Sequence, residues 1–281
     1  MNFGGASQCG DFATREFGTR ASRSRAIFYG VCALLFALSA AATIVACVSM
    51  STMGDMPMPG DWTMSMMWMP MCGHTWPGIA VSFVGMWVVM MIAMMLPSLA
   101  PVLWRYGEAL GRAGHARAGL MTLLAGVGYF AVWAALGAAL FALGATLAAL
   151  EMQIPAVSRA VPVVAGVIVL SAGALQLTAW KAHYLRCCRQ AAPYRLHALP
   201  TRAVAAMQYG VRLGVHCCFC CASLTALLVV SGVMELRAMA AVTVAITLER
   251  VAPRGEFIAR GFGFVIVGAG LFMIVRAASL V

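Results

Sequence analysis

The chain alternates apolar runs of membrane-crossing length with short polar connections rich in arginine. In hydrocarbon every backbone N–H and C=O must be satisfied within its own segment, so an apolar run of about 20 residues reads as a transmembrane helix. Such runs lie at 26–49, 79–99, 120–150, 161–180, 215–233, 238–248 and 258–275. The third is long enough to tilt or to begin in the interface. The sixth is the shortest, because Glu235, Arg237, Glu249 and Arg250 hem it in, and it needs a turn at each end to cross. The pattern predicts an all-α fold, a polytopic membrane helix bundle with about seven transmembrane helices, or about six without that run.

Composition agrees. The chain is 63% apolar and 10% charged, where soluble domains run near 45–50% and about 25%, so a soluble fold is excluded. The first run is too long for the h-region of a signal peptide, about 7–15 residues, although Ile44-Val45-Ala46-Cys47 faintly resembles a lipoprotein cleavage site. Residues 1–25 are polar and Gly/Ser/Arg-rich, which predicts a disordered cytoplasmic tail ahead of a helix-bundle domain at 26–281.

The net charge of +10 reports orientation rather than nucleic-acid binding, because the basic residues are scattered between apolar runs. Arg15, Arg20, Arg23 and Arg25 precede the first run, and Arg105, Arg112 and Arg117 follow the second. Lys181, Arg186, Arg189, Arg195, Arg202 and Arg212 separate the fourth from the fifth, and Arg250, Arg254 and Arg260 the sixth from the seventh. Those sixteen of the nineteen Lys and Arg fall on one side, leaving Arg159, Arg237 and Arg276 for the other. The expected topology is N-in and C-out in a bacterial inner membrane.

The outer connection at 50–77 is unusual. It holds Met50, Met53, Met56, Met58, Met64, Met66, Met67, Met69 and Met71, then Cys72 and His74, with four prolines, two aspartates and no Lys or Arg. Proline and glycine prevent these methionines from forming a helical core. Thioether sulfur selects Cu(I) over harder ions and binds without losing a proton. A floppy surface loop with methionine as generic hydrophobe accounts less well for so many methionines beside so little Leu, Ile or Val.

The next run carries Met86, Met90, Met91, Met94 and Met95, spaced so that Met86, Met90 and Met94 share one helix side and Met91 and Met95 a neighbouring one. Alone this is ordinary packing by a flexible side chain. Following the loop, it reads as a route inward for a soft ion. At the inner side stand His183, Cys187 and Cys188, and then His216, Cys217, Cys218, Cys220 and Cys221. On a helix Cys217 meets Cys220 and Cys221, Cys218 meets Cys221, and His183 meets Cys187. Thiols beside Arg and Lys become good metal ligands, and on the reducing side they do not form lasting disulfides. Glu108 and Glu249 are expected to pair with Arg105, Arg112 or Arg250. Glycines 126, 137, 144, 263, 268 and 270 permit close helix approach.

Four stretches together resemble a bacterial family described as predicted metal-binding integral membrane proteins, a domain of unknown function. They are Met86 through Pro101, Gln176 through Lys181 to Arg189, Gly210 through Cys221, and the pair Glu249-Arg250. Cys218, Ala222-Ser223 and Arg250 depart from the family's pattern, where a small or apolar residue, an aromatic residue and Lys are expected. The resemblance implies a metal-binding membrane protein.

The resulting expectation is a soft-metal protein of the inner membrane. The outer methionines capture Cu(I), the second span passes it on, and the inner thiols receive it; zinc is an alternative at the thiols. The bilayer and a metallochaperone or membrane-complex partner are the expected associates. No Ser-His-Asp set, phosphate loop or hydrolytic carboxylate pair stands in the sequence, so an enzyme is not expected. Competing readings are a thiol-disulfide or electron conduit using the paired cysteines, and a structural subunit of a membrane complex.

Overall fold

In the computed structural model, residues 6–51, 55–58, 62–65, 75–190, 202–233 and 235–279 are described. They form eight helices: α1 (Ala6–Ser51), α2 (Trp76–Arg112), α3 (Ala118–Gln153), α4 (Pro155–Gln176), α5 (Ala179–Gln190), α6 (Ala203–Ser231), α7 (Leu236–Val251) and α8 (Gly255–Ala278). Six of them are long and apolar enough to cross a membrane: the Ser22–Ser49 part of α1, and α2, α3, α4, α6 and α8. The polar stretch expected to be a tail continues into α1 from Ala6 onward, since no proline interrupts it.

Two differences from the expected spans bear on function. The sixth apolar run becomes α7, which at 16 residues is about 24 Å long. The fourth does not run on to Trp180: α4 ends at Gln176 and α5 starts separately at Ala179. Thr178 makes the break. Its hydroxyl donates to the Leu175 carbonyl at 2.7 Å and accepts the Lys181 backbone N–H at 3.3 Å, which caps the new helix. In place of the plain loop expected at 50–77, β1 (Asp55–Met58) and β2 (Trp62–Ser65) pair antiparallel, with Met56 opposite Met64.

Local chemistry ends the other helices. Pro155 pushes Ile154 out of the helical region, and serves as the first residue of α4. Gly232, at φ 103°, stops α6. The Glu235 carboxylate then accepts the Ala238 N–H at 2.6 Å and starts α7.

Small residues set the packing. A Cβ at Gly128, Gly210 or Gly214 would run into backbone of the facing helix, so α3 and α6 lie almost backbone to backbone. Gly166, Gly173 and Gly270 do the same for α4 and α8, and Gly263 makes room for the Leu177 side chain. Of the glycines expected at contacts, Gly137 abuts the Trp87 ring, whereas Gly268 faces open space. Trp87 is held there by its indole N–H, which donates to the Trp133 carbonyl at 3.0 Å, and by stacking with Phe83. These contacts fix α2, α3 and α6 around one buried core, at whose α6 end the cysteines lie.

Candidate metal centre

The centre is built on α6, where Cys217, Cys220 and Cys221 are buried because Gly210 and Gly214 bring that face against α3. Cys217 is its hub. Its Sγ lies 3.9 Å from the Cys221 Sγ and 4.0 Å from the Met95 Sδ on α2, and receives a hydrogen bond from the Tyr129 hydroxyl at 2.9 Å. Cys220 contacts Cys221 on one side and Cys188 of α5 on the other. The Cys188 thiol also donates to the His216 carbonyl at 3.5 Å. The hydrogen bond to Cys220, with burial, holds the Cys188 thiol well above the ordinary range. Five sulfurs from three helices thus form a continuous chain: Met95, Cys217, Cys221, Cys220, Cys188.

Spacing relates this chain to metal chemistry. An ion bound in a plane by three sulfurs, at about 2.3 Å each as for zinc–thiolate bonds, holds neighbouring sulfurs about 4.0 Å apart. Both distances around Cys217 are of that size. The full set is linear rather than convergent. Among the described residues no three His, Cys, Asp or Glu side chains gather about one point. Pairs of thiols joined by a thioether suit a low-coordinate soft ion better than a tetrahedral one.

Two cations flank the sulfurs. Lys181, almost fully buried, pairs with the equally buried Glu249 at 2.8 Å and donates to the Cys220 carbonyl at 2.7 Å. Burial opposes the charge on Lys181; the Glu249 carboxylate outweighs it and holds the amine above its ordinary range. Glu249 accepts from the Gln176 amide, whose oxygen accepts the Ser223 hydroxyl at 2.5 Å. Arg250 donates to the Ser98 hydroxyl at 2.9 Å, and that hydroxyl donates to the Met95 carbonyl at 3.0 Å. Each of these side chains has at least one polar partner, which is what burial demands.

The sequence-based site residues divide accordingly. Met95, Cys188, Cys217, Cys220 and Cys221 come together. Met90, Met91 and Met94 are buried in the same core and Met86 half-buried, and the Met95 sulfur lies 4.0 Å from the Cys217 thiol. His183 and Cys187 form a separate, outward pair at 3.7 Å, since Cys187 and Cys188 point about 100° apart on α5. His216 is exposed beside the Tyr184 ring, and Cys218 is half-buried off the chain. Met66, Met67, Met69, Met71, Cys72 and His74 lie outside the described residues, and for Met64 only the strand is described.

Glu108 pairs with Arg112 at 2.6 Å, as its spacing predicts. Glu249 pairs with Lys181, 68 positions away in the chain, because α5 presents the amine to it. Tyr129 gave no signal in the sequence; a lone tyrosine in an apolar run reads as packing.

Residues 84–273, more than half the chain, match the family model described as PpoB2: Copper chaperone. The chain belongs to that family. The matched region contains the whole sulfur chain together with Tyr129, Lys181, Glu249 and Arg250, and starts after the methionine-rich segment. Membership gives this chain a copper-related role. No curated protein and no solved structure matches it.

Proposed function

We propose that this family member is a membrane-embedded carrier of Cu(I), with the ion held first between Met95, Cys217 and Cys221 and moved along Cys220 to Cys188. The supporting observation is the buried Cys217 thiol, about 4 Å from a thioether on another helix and a thiol on its own. Copper is the cargo. Neutral thioether and thiolate donors in series offer steps of similar affinity, which lets an ion exchange between neighbours instead of resting at one closed site. Tyr129 supports the thiolate form of Cys217 by donating to it.

The rest of the reading is topological. α7, extended by the Glu235 cap, completes seven spans, and the arginine distribution orients the chain N-in and C-out in an inner membrane. Met64, Met66, Met67, Met69, Met71, Cys72 and His74 then collect Cu(I) outside, and Met86, Met90, Met91 and Met94 line the way to Met95. His183 and Cys187, facing outward beside Cys188, are the delivery end toward a partner inside.

Metal content of the detergent-purified protein under anaerobic reducing conditions tests this. Wild type loaded with Cu(I) retains copper at near-stoichiometric level or above, with sulfur-only coordination by X-ray absorption. Cys217→Ser lowers it, and a variant lacking the methionines of 50–71 lowers it separately. A wild-type protein that holds no copper after loading removes the proposal.

A further inference from the structure

At the start of α8 arginines outnumber the carboxylates they meet. Arg254 ends the turn that follows α7, and the first two turns of α8 carry Glu256 and Arg260. Arg186 of α5 joins them, its Nε 2.8 Å from the Glu256 carboxylate. These four side chains, with Gly255 and Phe257, line a cavity of about 560 Å³. That lies within the roughly 300–1,000 Å³ of sites that take small ligands. Glu256 is engaged by Arg186, and among the described residues Arg254 and Arg260 have no ion-pair partner. Both are exposed at the cavity.

Two further features suit an anion. α8 starts without a side-chain cap, so unsatisfied N–H donors of its first turn, at Gly255 and Glu256, belong to the same lining. Arg186 meets Glu256 through Nε, one of the five N–H donors of a guanidinium. Glu256 opposes an anion, and its pairing with Arg186 limits the repulsion.

Position identifies the kind of anion. α8 is long and apolar enough to cross a membrane, so the cavity lies at one end of a span, at the level of lipid headgroups. Phe257, 78% exposed, and Phe264, 68% exposed, stand three residues before and four after Arg260, on the same side of the helix. Rings that meet acyl chains therefore flank an arginine whose stem can lie along apolar surface while its charge stays at the polar boundary. We propose that this cavity binds the phosphate group of an anionic phospholipid, held by Arg254 and Arg260 and completed by Arg186. The site goes beyond the copper reading and requires only that α8 spans a bilayer.

Native mass spectrometry of the delipidated full-length protein in non-ionic detergent tests this, with dioleoylphosphatidylglycerol and dioleoylphosphatidylcholine titrated separately. Inorganic phosphate is added in a parallel series followed by thermal melting. Wild type is expected to bind phosphatidylglycerol at least about tenfold more tightly than phosphatidylcholine, the scale of two arginines at an anionic headgroup. Arg254→Gln/Arg260→Gln should lose most of that preference, and Arg254→Lys/Arg260→Lys should keep most of it. Arg105→Gln/Arg117→Gln removes the same charge from exposed positions outside the cavity and should leave the preference within about twofold of wild type. Size-exclusion profile and melting establish which variants fold, and Arg260→Gln alone carries the test if the double variant does not. No preference in wild type, or an equal fall in Arg105→Gln/Arg117→Gln, overturns the inference. Phosphate that raises the melting temperature through Arg254 and Arg260, without a lipid preference, overturns the lipid assignment and makes free phosphate the ligand.

Discussion

Met95 and Cys217, 122 positions apart, bring a thioether and a thiol to 4.0 Å inside the helix bundle. Neither helix alone offers this pair. α2, which runs on through Pro97 and Pro101, contributes the thioether, and α6 contributes the thiol because glycine lets it approach α3. The relationship orders the effects expected of substitutions.

Cys217→Ser replaces a soft hub with a hard oxygen, so most bound Cu(I) should be lost, whereas Met95→Leu removes one neutral donor and should weaken binding by roughly tenfold. X-ray absorption then shows one sulfur neighbour fewer in Met95→Leu. Equal losses in the two variants would contradict the hub assignment.

The Lys181–Glu249 pair makes a stability prediction. Removing one partner, as in Lys181→Met, strands a buried charge and should cost about 3–5 kcal/mol. Removing both, as in Lys181→Met/Glu249→Leu, should cost clearly less, because no charge is left unpaired. Thermal melting in detergent of the single and double variants measures the difference, and a double variant no more stable than the single would contradict a coupled pair.

Helix packing gives a contrast between two glycines. Gly210→Val places methyl groups against the backbone at Ala125 and should destabilise by about 3 kcal/mol or more, with loss of folded protein on extraction. Gly268→Val meets open space and should leave yield and melting within about 0.5 kcal/mol of wild type.

Thiol labelling separates the two faces of α5. Cys187 is half-exposed and Cys188 buried, so a membrane-impermeant maleimide should modify Cys187 well before Cys188, Cys217, Cys220 or Cys221. With the proposed N-in, C-out orientation, the reaction occurs in inverted vesicles and not in right-side-out ones. Labelling from the opposite side would reverse the assigned direction of transfer.

What the sequence determined on its own was whatever depends on neighbours along the chain. Run length and hydropathy specify the long apolar helices, since a segment in hydrocarbon must satisfy its own backbone. The i, i+4 spacing specified Glu108 with Arg112, His183 with Cys187 and Cys217 with Cys221. Soft-ligand chemistry followed from residue type, and copper from it.

Tertiary structure decided the rest. That Glu249 takes Lys181, that Arg250 reaches Ser98, that Tyr129 donates to Cys217, and that the Met95 sulfur lies against the Cys217 thiol all depend on how α2, α3, α5, α6 and α7 pack. These partners lie tens to more than a hundred residues apart. A helical side chain's direction is local information, but what it meets is set by the neighbouring helix, its distance fixed by glycine contacts and its start by a break such as the one at Thr178.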